Sequence, residues 1–520
     1  MSDQDTDPPA DLDPGIGGDT PELTFRGGRL VSALPIALFI VWAIFQSGVL
    51  RVGDTSGLVA GMLVSLTVGM LFVKGNWKQY ADVIFEGMTQ RVAATAIVAW
   101  LWAGMFAATI RAGGFVGGLV WAADTFNVGA ALFPAATFLL AGLLATGIGT
   151  GYGTTVAFSA LFFPAGVALG ADPVLLFGAI LSGAVFGDNL APVSDTTIVS
   201  AVTQDSDIGG VVASRLKYAL VAASLALVAY LVAGSALAGE PLQGAGGLLV
   251  EEADPFGLVH VISMFVVIVT AVAGRHIIEA ISWGLIVAFV FNVVLDALPV
   301  DAGAPVSDMI VFYVSEGSGF TGLPFVVVPE NADLVGTAGG SLYSGAVGFF
   351  PLIVLTLLIV AGAQVMIRGG GFAAIQDFLL NRVATGVRRA ELTMVLGTAM
   401  VNAMITINTA AEIAIAPYIA RIGQRFNING YRRANILDAN TSALGYIFPW
   451  AGGVLVGYTQ IQDLPDTFQW FSESMVVSPV EVWPFVFHGW FLFFVFVFAA
   501  VTGFGLEYVP DRESEEVSRV

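Results

Sequence analysis

Eight stretches of this chain are apolar on a scale that suits a bilayer, where a spanning helix needs about 20 residues. They are Leu30–Leu50, Gly57–Val73, Val92–Ile110, Tyr218–Leu237, Leu258–Ala273, Ile277–Val294, Val347–Ile367 and Pro484–Val501. None alternates apolar and polar residues as a membrane β-barrel strand does. Only 12% of residues are charged and the mean hydropathy is +0.83, against about 25% charged in a soluble domain. The expected class is an all-α polytopic membrane protein.

The flanks differ. Residues 1–29 are acidic, Pro/Gly-rich and without an apolar core, so they read as a disordered tail rather than a cleaved signal peptide. Residues 506–520 read the same way. The net charge is −20, and its acids concentrate in tails and loops. Lysine occurs only at 74, 78 and 217. Acid-rich, lysine-poor exposed segments suit a salt-saturated cytoplasm, so a halophilic source is expected. Nothing is basic enough to bind nucleic acid. With no cysteine, disulfides and thiol chemistry are excluded. His260, His276 and His488 are far apart and are expected to pack on helix faces.

Positive charge orients the spans. With Arg26 and Arg29 inside, the walk leaves only Arg51 and Arg111 of the twenty basic residues outside. Both termini fall on the cytoplasmic side of a multi-pass cell-membrane protein. The second half then runs opposite to the first. Membrane repeats at 30–238 and 257–505 are joined by an acidic external linker, 239–256. From Val92 to Asp188 is 96 positions, and from Val347 to Asp438 is 91, which pairs these two acids. Such inverted-topology repeats, with broken helices and re-entrant or paired segments, place an ion site where the two breaks meet.

The polar segments inside the apolar frame are the candidate site. Gly187-Asp188-Asn189-Leu190-Ala191-Pro192-Val193-Ser194-Asp195-Thr196-Thr197 puts two carboxylates, an amide and four hydroxyl or proline interruptions at membrane depth. An acid there costs roughly 2.5–3.5 kcal/mol on insertion scales. Pro192 ends a helix, and freed carbonyls can hold a cation; capping of the half-helices by Ser194 and Asp195 is the structural alternative. The paired segment 131–170 carries glycines at 147, 149, 151 and 153, which are not expected to form a stable helix. Thr150, Thr154 and Thr155 would offer oxygens there; helix packing through the glycines is the alternative.

The second half answers with Asp438, Asn440, Thr441 and Ser442, then a break at Pro449-Trp450. Asp438 is a secondary candidate, because it follows Arg433 closely and can pair with an arginine at the inner mouth. Asn402, Thr406, Asn408, Thr409 and Glu412 come from the second paired segment. Glu412 is either an intramembrane acid or part of an inner loop with Arg421. No Arg or Lys is expected at membrane depth.

The motif Gly149-Thr150-x-Tyr152-Gly153-Thr154 followed by residues 187–197 resembles the NhaC family of sodium/proton antiporters, within the ion-transporter superfamily. The resemblance covers roughly 30–501 in length and hydropathy, with its motifs in 149–197. It implies ion exchange and supports Asp188, Ser194, Asp195 and Thr196 as site residues. Two departures bear on substrate. Asn408-Thr409 stands where the family often has an acid, and 444–448 is more apolar.

The expected function is exchange of Na⁺ for H⁺ by alternating access, with Na⁺ held at Asp195 and Asp188 and the proton competing there. Asn189, Thr196 and Thr197 complete the expected shell. A Na⁺- or H⁺-coupled carrier of an organic anion or amino acid is the alternative, and a gated channel the third. No enzyme signature and no cofactor is expected. The partners are lipid and the two ions, with a homodimer left open.

Overall fold

The computed structural model describes residues 23–243 and 253–509. Most of both expected tails (1–22 and 510–520) and much of the expected linker (244–252) lie outside the described residues. The chain is an all-α polytopic membrane protein: among the described residues, eight helices are long and apolar enough to cross a membrane.

In the first half, α1 (Arg29–Val49), α2 (Thr55–Met70) and α3 (Trp77–Met88) precede α4 (Arg91–Ala112) and the short α5 (Phe115–Thr125). Then follow α6 (Phe133–Ile148), α7 (Gly151–Ala168), α8 (Pro173–Leu190), α9 (Asp195–Thr203) and α10 (Ile208–Leu237). The second half has α11 (His260–Val272), α12 (Ile277–Asp296), α13 (Phe350–Arg368), α14 (Gly371–Phe378), α15 (Val387–Ile405), α16 (Asn408–Arg425), α17 (Gly430–Leu444), α18 (Gly452–Gln462) and α19 (Phe487–Thr502). A three-stranded sheet (β1 Val311–Tyr313, β2 Val326–Val327, β3 Thr337–Gly339; order β2-β1-β3) folds within the loop before α13.

The central helices start where side chains satisfy their first N–H groups. Asp172 accepts from the Leu175 amide at 2.8 Å, with Pro173 in the first turn of α8. Asp207 accepts from Gly210 at 2.6 Å and starts α10. Asn429 accepts from Tyr431 at 2.8 Å and starts α17.

Contacts between loops sort the helix ends into two faces. Gly239 donates to Gly170, the Gly234 backbone touches Ala131, and Gly303 donates to Gly113. Those ends share one face, rich in acids. On the other face, Leu23 bonds Arg368, Arg433 bonds Gln204, and Asn429 bonds Glu507. Arg26, Arg29, Lys74, Lys78, Arg368, Arg421 and Arg425 gather at this basic face. Chain direction then fixes the topology. The α6–α7 hairpin enters from the acidic face, turns at Gly149 (φ 72°) and returns. The α15–α16 hairpin enters from the basic face and turns at Thr406 (φ 62°). The broken pairs α8–α9 and α17–α18 cross in opposite senses.

The halves match at a constant offset of 257 residues: 149 to 406, 151 to 408, 173 to 430, 192 to 449 and 195 to 452. Hairpin tips, helix starts and the two break prolines all obey it. Hence Asp188 corresponds to Gly445, not to Asp438, which lies seven residues, or two helical turns, ahead of that position. Pairing the two acids by composition missed this, because the acids are not where the backbone is symmetric.

The glycine motif also differs from expectation. Only Gly149 is non-helical; Gly147, Gly151 and Gly153 lie within α6 and α7. Buried helices tolerate glycine where neighbours approach closely. A Cβ on Gly151 would lie 2.2 Å from the Tyr446 hydroxyl.

α6 packs closely against α8, where a Cβ on Gly187 would lie 2.1 Å from the Gly142 carbonyl oxygen. Gly187→Val is therefore expected to destabilise by about 1–3 kcal/mol, the usual range for overpacking. Gly129→Ala, where a Cβ meets nothing within 4 Å, should leave thermal unfolding in detergent unchanged. Equal melting of the two variants would contradict this packing.

Candidate functional site

Each hairpin tip lies against the break of its own half. Gly149 touches the Val193–Ser194 backbone, and the Thr406 carbonyl accepts from the Gly452 amide at 3.1 Å. The halves then meet. Tyr152 and Tyr446 stack at 5.6 Å, and the Asn408 amide donates to the Tyr152 hydroxyl at 3.5 Å. Both breaks and both tips therefore converge in one place, at membrane depth.

At the first break, Ser194 is the residue before α9 but makes no cap. Its hydroxyl instead donates to Asp188 Oδ1 at 2.9 Å and contacts Thr196 Oγ1 at 3.0 Å. Asp195 Oδ2 accepts from Thr409 Oγ1 at 2.6 Å, a contact between halves. This partner, Thr409, is one of the polar residues of the second paired segment. Asp188, Glu412 and Asp438 are buried, whereas Asp195 is exposed.

The structure brings Asp438 into the same cluster, and its partner is not an arginine at the inner mouth. Arg215 Nη1 lies 2.6 Å from Asp438 Oδ2, with neither side chain exposed. The guanidinium also donates to the Asn189 carbonyl at 2.6 Å, Thr197 Oγ1 at 3.2 Å and Asn435 Oδ1 at 3.0 Å. Asp438 further accepts from Thr197 at 3.2 Å and Ser442 at 2.9 Å. A basic residue thus does sit at membrane depth, contrary to expectation. The Asp207 cap starts α10 ten residues before Tyr218. That places Arg215 seven residues, about 10 Å at 1.5 Å per residue, inside the helix. The cap was the signal in the sequence; hydropathy could not see it, because the charge is neutralised only by a residue 223 positions away.

Other expected ligands are engaged structurally. Thr150 caps α7 through the Gly153 amide at 3.3 Å, and Thr154 bonds the Thr150 carbonyl at 3.0 Å. Asn440 ties α17 to α15 through the Val395 carbonyl at 2.9 Å and Thr398 at 2.6 Å. Asn408 accepts from Asn402 at 3.2 Å. Among the described residues, the buried oxygens without a hydrogen-bond partner include Asn189 Oδ1, Asn402 Oδ1, Thr441 Oγ1 and both carboxylate oxygens of Glu412. Oxygen acceptors of this kind suit a small cation.

Residues 25–235 and 201–490 match the profile of the Na⁺/H⁺ antiporter family. This chain belongs to that family. Relatives within reach include the malate-2H⁺/Na⁺-lactate antiporter of Bacillus subtilis, 26% identical over 201 residues, 39% of this chain and 38% of that one. The Na⁺/H⁺ antiporter NhaC of Alkalihalophilus pseudofirmus is 26% identical over 155 residues, 29% and 31% of the two chains. The arginine/ornithine antiporter ArcD of Halobacterium salinarum is 25% identical over 198 residues, 34% and 40%. The matched part spans two fifths or less of each relative's length. The NhaC-like motifs and the family profile agree.

Removing one partner of a buried ion pair leaves the other charge uncompensated and costs about 3–5 kcal/mol. Asp438→Asn is therefore expected to destabilise by that amount, not by the about 0–1 kcal/mol of an exposed pair. The paired change Arg215→Met with Asp438→Leu should restore much of the loss in thermal melting. A wild-type melting curve for Asp438→Asn alone would contradict the pair's importance.

Proposed function

We propose that this chain exchanges Na⁺ for H⁺ across the cell membrane by alternating access. The observation that carries this is the charge count at the convergence of tips and breaks. Four carboxylates, Asp188, Asp195, Glu412 and Asp438, share the place with one buried cation, Arg215. Arg215 balances Asp438, which leaves three acids to be neutralised by protons or by a bound cation.

Asp188 and Asp195 are our assignment for the Na⁺ ligands, with the Asn189 side chain, Ser194, Thr196 and Thr197 at the first break. Hydroxyls that now donate to Asp188 and Asp195 can turn their lone pairs to a cation. A proton and Na⁺ each neutralise the negative charge of such an acid. One site that binds either, exposed alternately to each side, gives exchange.

The basic face is the cytoplasmic one by the positive-inside rule. Of the described basic residues, only Arg51 and Arg111 are on the acidic face. The exposed residues of α9 run Asp195, Ile198, Val202 toward the basic face. Thr409, Ile413, Pro417 and Ala420, each partly exposed, run the same way along α16. We assign these two exposed rows as the access path, which leads toward the basic face.

The second reading is an exchanger of an organic solute, as the names of the malate/lactate and arginine/ornithine relatives suggest. Excess acid at the site favours a cationic solute over an anionic one in that case. Proton flux in proteoliposomes on addition of NaCl, KCl, arginine or malate separates the readings. NaCl alone is expected to drive it, and the double variant Asp188→Asn, Asp195→Asn should abolish it with the protein still folded. Full exchange in that variant would end the proposed mechanism. A response to arginine or malate but not NaCl would select the second reading.

A further inference from the structure

We infer that the basic-face half of α15 carries a binding site for an anionic phospholipid, with the phosphate at Arg389 and one acyl chain in the groove below it. The groove is a cavity of about 220 Å³ between α15 and the wide helical turn Leu379–Val383 that follows α14. Arg389, Leu392, Leu396 and Met400 line it from α15, and Leu379 and Val383 line it from the turn. The α15 residues are spaced by three and four, so they share one face of the helix. Only Arg389, at the rim, brings a charge to this lining. From Arg389 to Met400 is eleven positions, about 16 Å at 1.5 Å per residue. Half of a bilayer's hydrocarbon core is about 15 Å, so the groove runs about the depth of one leaflet. Leu396 and Met400 are exposed along it. At this depth the bilayer supplies acyl chains and no water to cover them.

The rim decides which lipid. Between Gly369 and Ala390 the chain carries Arg382, Arg388 and Arg389 against one acid, Asp377. All three arginines are exposed, and none makes an ion pair among the described residues. Glu391, just beyond them, is buried and already matched by Arg432 at 2.6 Å. Arg389 gives one N–H to Thr385 Oγ1 at 2.9 Å. A guanidinium has five such donors, so others remain for the paired oxygens of a phosphate. The far wall is fixed from behind: Arg421 donates to Gln376, and Arg425 to the Leu380 carbonyl at 2.9 Å, which ties α14 and its turn to α16. Basic pockets beside membrane helices recognise acidic headgroups in this way. A choline headgroup would bring its own cation among the arginines. A second copy of the chain, packed about a two-fold axis, would set the same arginines against each other. An anionic phospholipid meets both the charge at the rim and the apolar groove.

The test titrates the purified full chain in mild detergent with phosphatidylglycerol or phosphatidylcholine and counts bound lipid by native mass spectrometry. Wild type should retain phosphatidylglycerol in preference to phosphatidylcholine. Arg389→Gln should weaken phosphatidylglycerol binding about fivefold, the contribution of one basic side chain near a membrane surface. Arg389→Lys should recover it in part, because the charge returns without the bidentate fork. Leu396→Trp, which fills the groove and keeps the charge, should weaken binding at least as much as Arg389→Gln. Lys78→Gln, at the basic face but outside the groove, should leave it unchanged. Equal retention of the two lipids overturns the inference, and so does unchanged phosphatidylglycerol binding in Arg389→Gln. Unchanged binding in Leu396→Trp overturns the assignment of the acyl chain to this groove. A lipid-free dimer that Leu396→Trp turns into a monomer would also overturn it, since the groove would then be a contact between copies.

Discussion

Arg215 and Asp438 face each other at 2.6 Å with neither side chain exposed, and much of the interior is arranged around them. Desolvating two such charges costs several kcal/mol each, and attraction offsets this only when further hydrogen bonds satisfy the remaining donors and acceptors. Here Asn435, Thr197, Ser442 and the Asn189 carbonyl do so. Those partners come from α17, α9 and the end of α8, while Arg215 itself stands on α10. One guanidinium thus holds the first break open at its freed carbonyl and fixes the second broken helix against it. A half-helix end that would otherwise need water receives a permanent donor from the protein.

The remaining acids have no such cationic partner in the described cluster and are the proposed ion site. Glycine and tyrosine complete the arrangement. Gly151 lets the first hairpin approach Tyr446, and the stacked Tyr152–Tyr446 pair closes the seam between halves. Trp100 adds an edge contact to Tyr152 at 5.8 Å, which anchors the seam to α4. The polar site is therefore held by apolar and aromatic surfaces from both halves, as a cavity at membrane depth requires.

Much of this was legible in the sequence. Apolar runs of bilayer length gave the class, and the distribution of Arg and Lys gave the two faces and the opposed halves. Pro192 and Pro449 marked both breaks, because a missing N–H is a local property of the residue. Asp188, Asp195, Ser194 and Thr196 stood out because acids and hydroxyls are rare inside apolar segments. What was not legible depended on long-range pairing or on burial. Arg215 looked like a surface charge until the Asp207 cap lengthened its helix. Thr150 and Thr154 looked like ligands, yet their hydroxyls serve the local backbone. The glycines looked like helix breakers because helix propensity ignores the close neighbours that make glycine useful. Asp438 matched Asp188 in composition, but the fold aligns backbone positions and not side-chain types.

The constant offset between halves applies to the backbone; the chemistry does not follow it. Gly445 stands opposite Asp188, Gly452 opposite Asp195 and Thr155 opposite Glu412. A perfectly duplicated device would show the same energy and the same affinity whichever side it faced. Here the acids lie at the break of one half and along the hairpin of the other. Their surroundings cannot be interchanged by the pseudo-two-fold rotation. The backbone is repeated but its fixed charges are not, so under the proposed alternating access the two orientations differ in free energy, and the ion meets a different binding strength at each face of the membrane.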